Sequence, residues 1–149
     1  SFSSGLLKAG VMIPVWVSEG IATSFESGRL AGIHSVESNP SRTRGLADAF
    51  DRGRLLPLDR FVVMPRFRPD EGYDLGDAYA ESEGLFQFLL TRRPEGLRNY
   101  LSALASLDPG DRSGPEMLSE FQSAFGSVES LAPAWTAYLQ ELSRLQSRK

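Results

Sequence analysis

Leu75-Gly-Asp-Ala-Tyr-Ala-Glu-Ser-Glu-Gly-Leu-Phe-Gln-Phe-Leu-Leu-Thr-Arg92 is the stretch that decides the fold class. Ala78, Tyr79, Ser82, Leu85, Phe86, Leu89 and Leu90 recur at the spacing of one helical face, with no period-two alternation. Pro94 breaks this helix and opens the next, which runs to about Leu107 with Leu97, Tyr100, Leu101 and Leu104 facing inward. Glu81 and Glu83, two residues apart, point to different sides of the first of these helices and make a poor acid–base pair. Arg92 and Arg93 supply positive charge at its C-terminal end, where the helix dipole favours it.

Working outward, the same periodicity recurs. Pro14 opens a helix from Val15 to Glu26, with Val15, Val17, Ile21, Ala22 and Phe25 on one arc, stopped by Gly28. Residues 29–41 hold Gly32, Ser35, Ser38, Asn39, Pro40 and Ser41 and read as a loop. A short helix is expected over Arg42–Arg52 and a second over residues 54–63. Arg60–Arg68 is the one stretch that could form a strand, and Pro65 to Asp74 reads as a solvated, charged loop. Asp108-Pro-Gly-Asp111 is a turn. Helices follow over Glu116–Phe125 and Ser127–Arg148, the last with Leu131, Trp135, Tyr138, Leu139, Leu142 and Leu145 as a core stripe. The expectation is one all-α domain spanning residues 1–149.

Composition limits the chemistry. The 149 residues carry 16 basic and 19 acidic side chains, one histidine (His34) and no cysteine. A zinc site needs three or four protein ligands, mostly His or Cys, so this chain does not build one alone. A Ser-His-Asp arrangement would have to run through His34. The net charge of −3 argues against non-specific nucleic-acid binding, which needs a basic face. No apolar run approaches the roughly 20 residues of a membrane span. The lack of cysteine leaves the compartment open.

Glu19 stands at the border of the apolar arc of the first helix, next to Val15 and Ala22. A carboxylate there either reaches water, meets an arginine or serves a site, because burying it as a bare charge is costly. Trp16-x-x-Glu19-Gly20-Ile21-Ala22 resembles the third-ligand motif of gluzincin metallopeptidases, the MA-clan enzymes in which an HExxH helix supplies two histidines and a catalytic Glu. The likeness is nearest to an uncharacterised bacterial branch of that clan. It extends through Phe25-Glu26, Asn39 and Arg42 in an Asn-x-x-Arg loop, Tyr79-Ala80-x-Ser82, Phe125-Gly126 and Trp135-x-x-Tyr138-Leu139.

The resemblance implies a zinc-dependent peptidase acting on a peptide or protein substrate. Glu19 would be the third zinc ligand, and Tyr79, 60 residues further on, would donate a hydrogen bond to the oxyanion. Asn39 and Arg42 would line a substrate cleft. Each has a structural counterpart: Tyr79 aligns with Phe86 and Leu90 as a core residue, and Asn39 and Arg42 can cap the short helix. Arg42 could instead pair with Glu37 or Asp48, and His34 reads as a surface loop residue.

No HExxH occurs in the chain, and only 18 residues precede Glu19. The opening Phe2-x-x-Gly5-Leu6 is similar to the segment that follows HExxH in the resembling family. The expectation is therefore a fragment beginning just behind that helix, holding no zinc and showing no activity by itself. The alternatives are a pseudopeptidase and a non-catalytic helical interaction module. Phe2, Leu6 and Leu7 would offer an apolar surface for a homodimer.

Overall fold

A computed structural model describes residues 13–26, 40–68, 72–107, 110 and 113–147. The described chain is mainly helical: α1 (Val15–Glu26), α2 (Pro40–Asp51), the single turn α3 (Leu58–Phe61), α4 (Leu75–Arg92), α5 (Pro94–Ala105), α6 (Gly114–Phe125) and α7 (Val128–Ser147). The fold is all-α, and no described helix is long and apolar enough to cross a membrane.

Helix α4 organises the rest. Asp74, in extended backbone, caps it by accepting from the Asp77 N–H at 3.0 Å, satisfying one of the first-turn donors. It ends at Arg92 because Pro94 pushes Arg93 out of helical geometry (φ −140°, ψ 55°) and then opens α5. Every residue from Ala80 to Leu89 is buried. The sequence reading of a single stripe is too narrow here, because α1, α2, α5 and α7 all pack on α4. Its Phe86 side meets α1, its Gly84 side meets Leu46 of α2, and its Phe88 side meets Trp135 and Tyr138 of α7 at 5.4 and 5.2 Å between ring centres.

Two glycines set these approaches. Gly20 of α1 lies directly on the Phe86 side chain, and a methyl group added there would sit 2.6 Å from Phe86 Cβ and nearer still to the ring. Gly84 leaves the space that the tip of Leu46 fills. Gly20→Ala gains helix propensity but forces α1 off α4, so a net loss of about 1–3 kcal/mol is expected. A fall in the urea midpoint checks this; an unchanged midpoint would show that Phe86 can swing aside.

The core has three aromatic centres. Trp16 of α1 stacks on Tyr100 of α5 (5.8 Å, 3° between planes) and meets Phe121 of α6 edge-on at 6.0 Å. Phe88, Trp135 and Tyr138 form the second, with Arg92 over the Tyr138 ring at 5.6 Å. Phe67 joins Phe61, Tyr73 and Tyr79 in the third.

Several local expectations shift. Residues 60–68 form no strand; the end of α3, a turn at 62–63 and a bend at 65–66 occupy them. Phe61, Val62 and Met64 are all buried, where a half-buried strand would bury only alternate residues, and the Met64 carbonyl accepts from the Val15 N–H at 2.8 Å. Helix α6 begins two residues before Glu116, because Ser113 and Glu116 close a reciprocal capping box in front of it. Helix α2 opens at Pro40, inside the stretch read as loop. The α7 stripe holds through Trp135 and Leu139, but Leu145 is 43% exposed. His34, Asn39, most of the Asp108–Asp111 turn, and Phe2, Leu6 and Leu7 lie outside the described residues.

Candidate functional site

The motif of α1 separates into scaffold and remainder. Trp16, Gly20 and Ile21 are fully buried and hold α1 against α4, α5 and α6. Glu19 is half-buried, at the edge of that packed surface. Its position follows from helix geometry: one residue before a glycine that touches Phe86, it lies about 100° around α1 from the contact line.

Tyr79 stands near the start of α4, half-buried, with its ring edge-on to Phe67 at 5.3 Å. Both candidates therefore belong to one packed helix pair. The Gly20 contact at Phe86 is two turns along α4 from Tyr79, about 10 Å in axial rise. Tyr79 shares a face with Phe86, as the helical spacing requires. Its ring packs against Phe67, and the residue as a whole is half-buried. Arg42 is placed as a backbone position in the first turn of α2.

Glu19 brings a single carboxylate, a group able to supply one oxygen ligand to a metal ion. Among the described residues, no three His, Cys, Asp or Glu side chains converge into a complete metal site.

The sequence reading missed two buried carboxyl groups. Glu81 and Glu83 are 1% and 2% exposed, although they point to different sides of α4 as expected. The helix is enclosed on both sides, so neither direction leads to water. Glu81 Oε1 accepts from the Leu56 N–H at 3.0 Å, tying the connection between α2 and α3 to the central helix. Its Oε2 is buried and has no hydrogen-bond partner among the described residues. Burial pushes the Glu81 carboxyl up to about 8, and the nearby Asp77 charge adds to the shift. Glu81 is thus mostly neutral at pH 7. It serves as an acceptor and an anchor, with an environment of the type that also marks reactive acids. The hint in the sequence is a charge on each side of a helix whose residues from Ala78 to Leu90 are otherwise mostly apolar or small.

A surface network fixes the same region. Arg54 bridges Asp77 of α4 (Nε, 2.8 Å) and Asp48 of α2 (Nη2, 2.9 Å), while Arg52 also pairs with Asp48 at 2.8 Å. Hydrogen bonds from Arg54, then from Arg52, hold the Asp48 carboxyl below its ordinary range, and the two carboxylates hold Arg54 above its own. Asp48 is therefore engaged by the arginines that follow α2.

No curated protein and no solved structure matches the chain. A family model does match, over residues 1–111, which takes in α1 to α5 and stops short of α6. The chain therefore belongs to DUF1570, a family of proteins of unknown function.

Proposed function

We propose that the chain is the C-terminal part of a gluzincin-type zinc peptidase domain, acting on a peptide or protein substrate. The observation that carries the reading is the Trp16-x-x-Glu19-Gly20-Ile21-Ala22 motif. Trp16, Gly20 and Ile21 are consumed in packing, and Glu19 is half-buried on the helix that packs against the one bearing Tyr79. On this reading an HExxH helix precedes Ser1 in the parent protein. Glu19 would hold the zinc together with the two histidines of that helix. Zinc, when bound, lowers the pKa of a coordinated water and polarises the scissile carbonyl.

The residues of this chain have simpler tasks. The burial of Trp16, Gly20 and Ile21 fixes the pitch and rotation of α1, so Glu19 is presented on a rigid helix rather than on a loop. The Tyr79 phenol, braced by Phe67, would donate a hydrogen bond to the substrate oxygen as negative charge gathers on it. Asn39 and Arg42 would line a substrate cleft.

Zinc content and turnover of the parent protein, including its upstream segment, test the reading. Stoichiometric zinc is expected in the wild type and a large loss in Glu19→Ala; equal zinc in both removes Glu19 from the coordination shell. Tyr79→Phe should keep its zinc and lose roughly 10²–10³-fold in kcat with little change in KM. Undiminished turnover would assign Tyr79 to packing alone. A different upstream sequence, without HExxH, sinks the enzyme reading. A second reading, a non-catalytic helical interaction module, draws its support from the groove considered next.

A further inference from the structure

A groove of about 430 Å³ runs between α7 and the chain that leaves α2. Trp135 and Leu139 of α7 form its floor, and Phe50, Leu55 and Leu56 form the facing wall. All three wall residues are half-buried, so apolar surface faces the opening. Asp59 and Glu129 stand exposed along its lining.

Two features say what chemistry suits it. First, both charged lining residues are acidic, and neither makes an ion pair among the described residues. The acidic groups in ion pairs among the described residues lie elsewhere, at Asp48, Asp77 and Glu141. Second, the wall is held in place from behind: the Leu56 backbone N–H is bonded to buried Glu81. A preformed wall costs a ligand little ordering entropy on binding. The volume accommodates one or two large apolar side chains and lies within the range of small-ligand sites.

We propose that this groove is a docking site for a cationic, apolar peptide segment: a bulky aliphatic or aromatic side chain enters over Trp135, and flanking Lys or Arg residues meet Asp59 and Glu129. The inference does not rest on the peptidase reading. Neither Glu19 nor Tyr79 lines the groove, and α7 meets α4 at Phe88, about 160° around the helix from Phe86. The groove is therefore on the far side of α4 from α1.

Fluorescence anisotropy on the full chain tests it, with a short labelled peptide carrying Phe and Leu flanked by lysines. Two control peptides replace the lysines by glutamates or the apolar residues by glycine. Saturable binding of the first peptide alone is expected, weakening as salt rises. The double variant Asp59→Asn, Glu129→Gln should bind on the order of tenfold more weakly. Thr136→Arg, at an exposed lining position, places a cation in the groove and should weaken binding further while leaving the helical circular dichroism unchanged. Equal binding of the glutamate peptide, unaltered binding by either variant, or no saturation overturns the proposal. A dimer detected by sedimentation and dispersed by Thr136→Arg would overturn it in favour of a second copy of the chain.

Discussion

Glu81→Gln is expected to stabilise the protein at pH 8 and to change little at pH 4.5. The amide is isosteric with the neutral acid and keeps a carbonyl oxygen for the Leu56 N–H. Below about 4.5 the carboxyl is protonated in both folded and unfolded chains, so it contributes no pH dependence. Between 4.5 and about 8 the unfolded chain releases the proton while burial keeps it on in the folded chain. The unfolded state then binds fewer protons, and stability falls as pH rises, by about 1.4 kcal/mol per unit where the difference is complete. Above about 8 the folded carboxyl ionises too and the loss levels off.

Glutamine removes this slope, so the gap between variant and wild type should widen from near zero at pH 4.5 to on the order of 4 kcal/mol at pH 8. Urea unfolding at several pH values, followed by circular dichroism, reads the difference directly. Other titrating groups cancel because both proteins carry them. A gap independent of pH would mean that Glu81 ionises at its ordinary value and that water reaches it.

Trp16→Ala is the second large effect. The indole is fully buried and touches rings from three other helices: Phe86 at 6.4 Å, Tyr100 at 5.8 Å and Phe121 at 6.0 Å. Truncation leaves a cavity where α1, α4, α5 and α6 meet, at a cost of about 3–5 kcal/mol. That is a large part of the roughly 5–15 kcal/mol by which domains are stable. The expected result is a chain close to unfolding at 37 °C, visible as a strongly reduced urea midpoint. Trp16→Phe should recover much of the loss, because the indole N–H makes no hydrogen bond among the described residues and only volume is given up. If the phenylalanine variant fared as badly as the alanine one, the stacked geometry on Tyr100, rather than filled space, would be the source of stability.

The two effects bear on function in different ways. Trp16 belongs to the motif that carries the peptidase reading, yet its role in the fold is packing. Loss of activity in a Trp16 variant therefore says nothing about zinc until folding has been checked. Glu19, being half-buried and outside the aromatic cluster, can be replaced with far less damage, so its variant is the informative one.

The all-α class and the approximate spans of the longer helices could be read from the sequence, because 3.6-residue periodicity, prolines at helix starts and glycines at helix ends are local signals; the helix expected over residues 54–63 shrank to the single turn Leu58–Phe61. The capping box at Ser113 and Glu116 was just as local, and reading it would have placed the start of α6 correctly. The positions of Glu19 and Tyr79 within their helices were legible as well. What surrounds α4 was not. Periodicity reports a preferred inward face, but it does not count the neighbours that a helix acquires. Four helices pack on this one, so Glu81 and Glu83, read as lying on separate faces, both ended in the interior.

The Arg60–Arg68 stretch failed as a strand for a related reason: a short apolar run has no period of its own, and the turn that buries Phe61, Val62 and Met64 depends on α1 lying beside it. Backbone preference and side-chain pattern are properties of neighbours in sequence, and the sequence alone determined them. Which side of each helix meets protein rather than water depends on contacts between residues distant in sequence. The raised Glu81 carboxyl, the Gly20 approach and the acidic, apolar groove beside Trp135 were decided there.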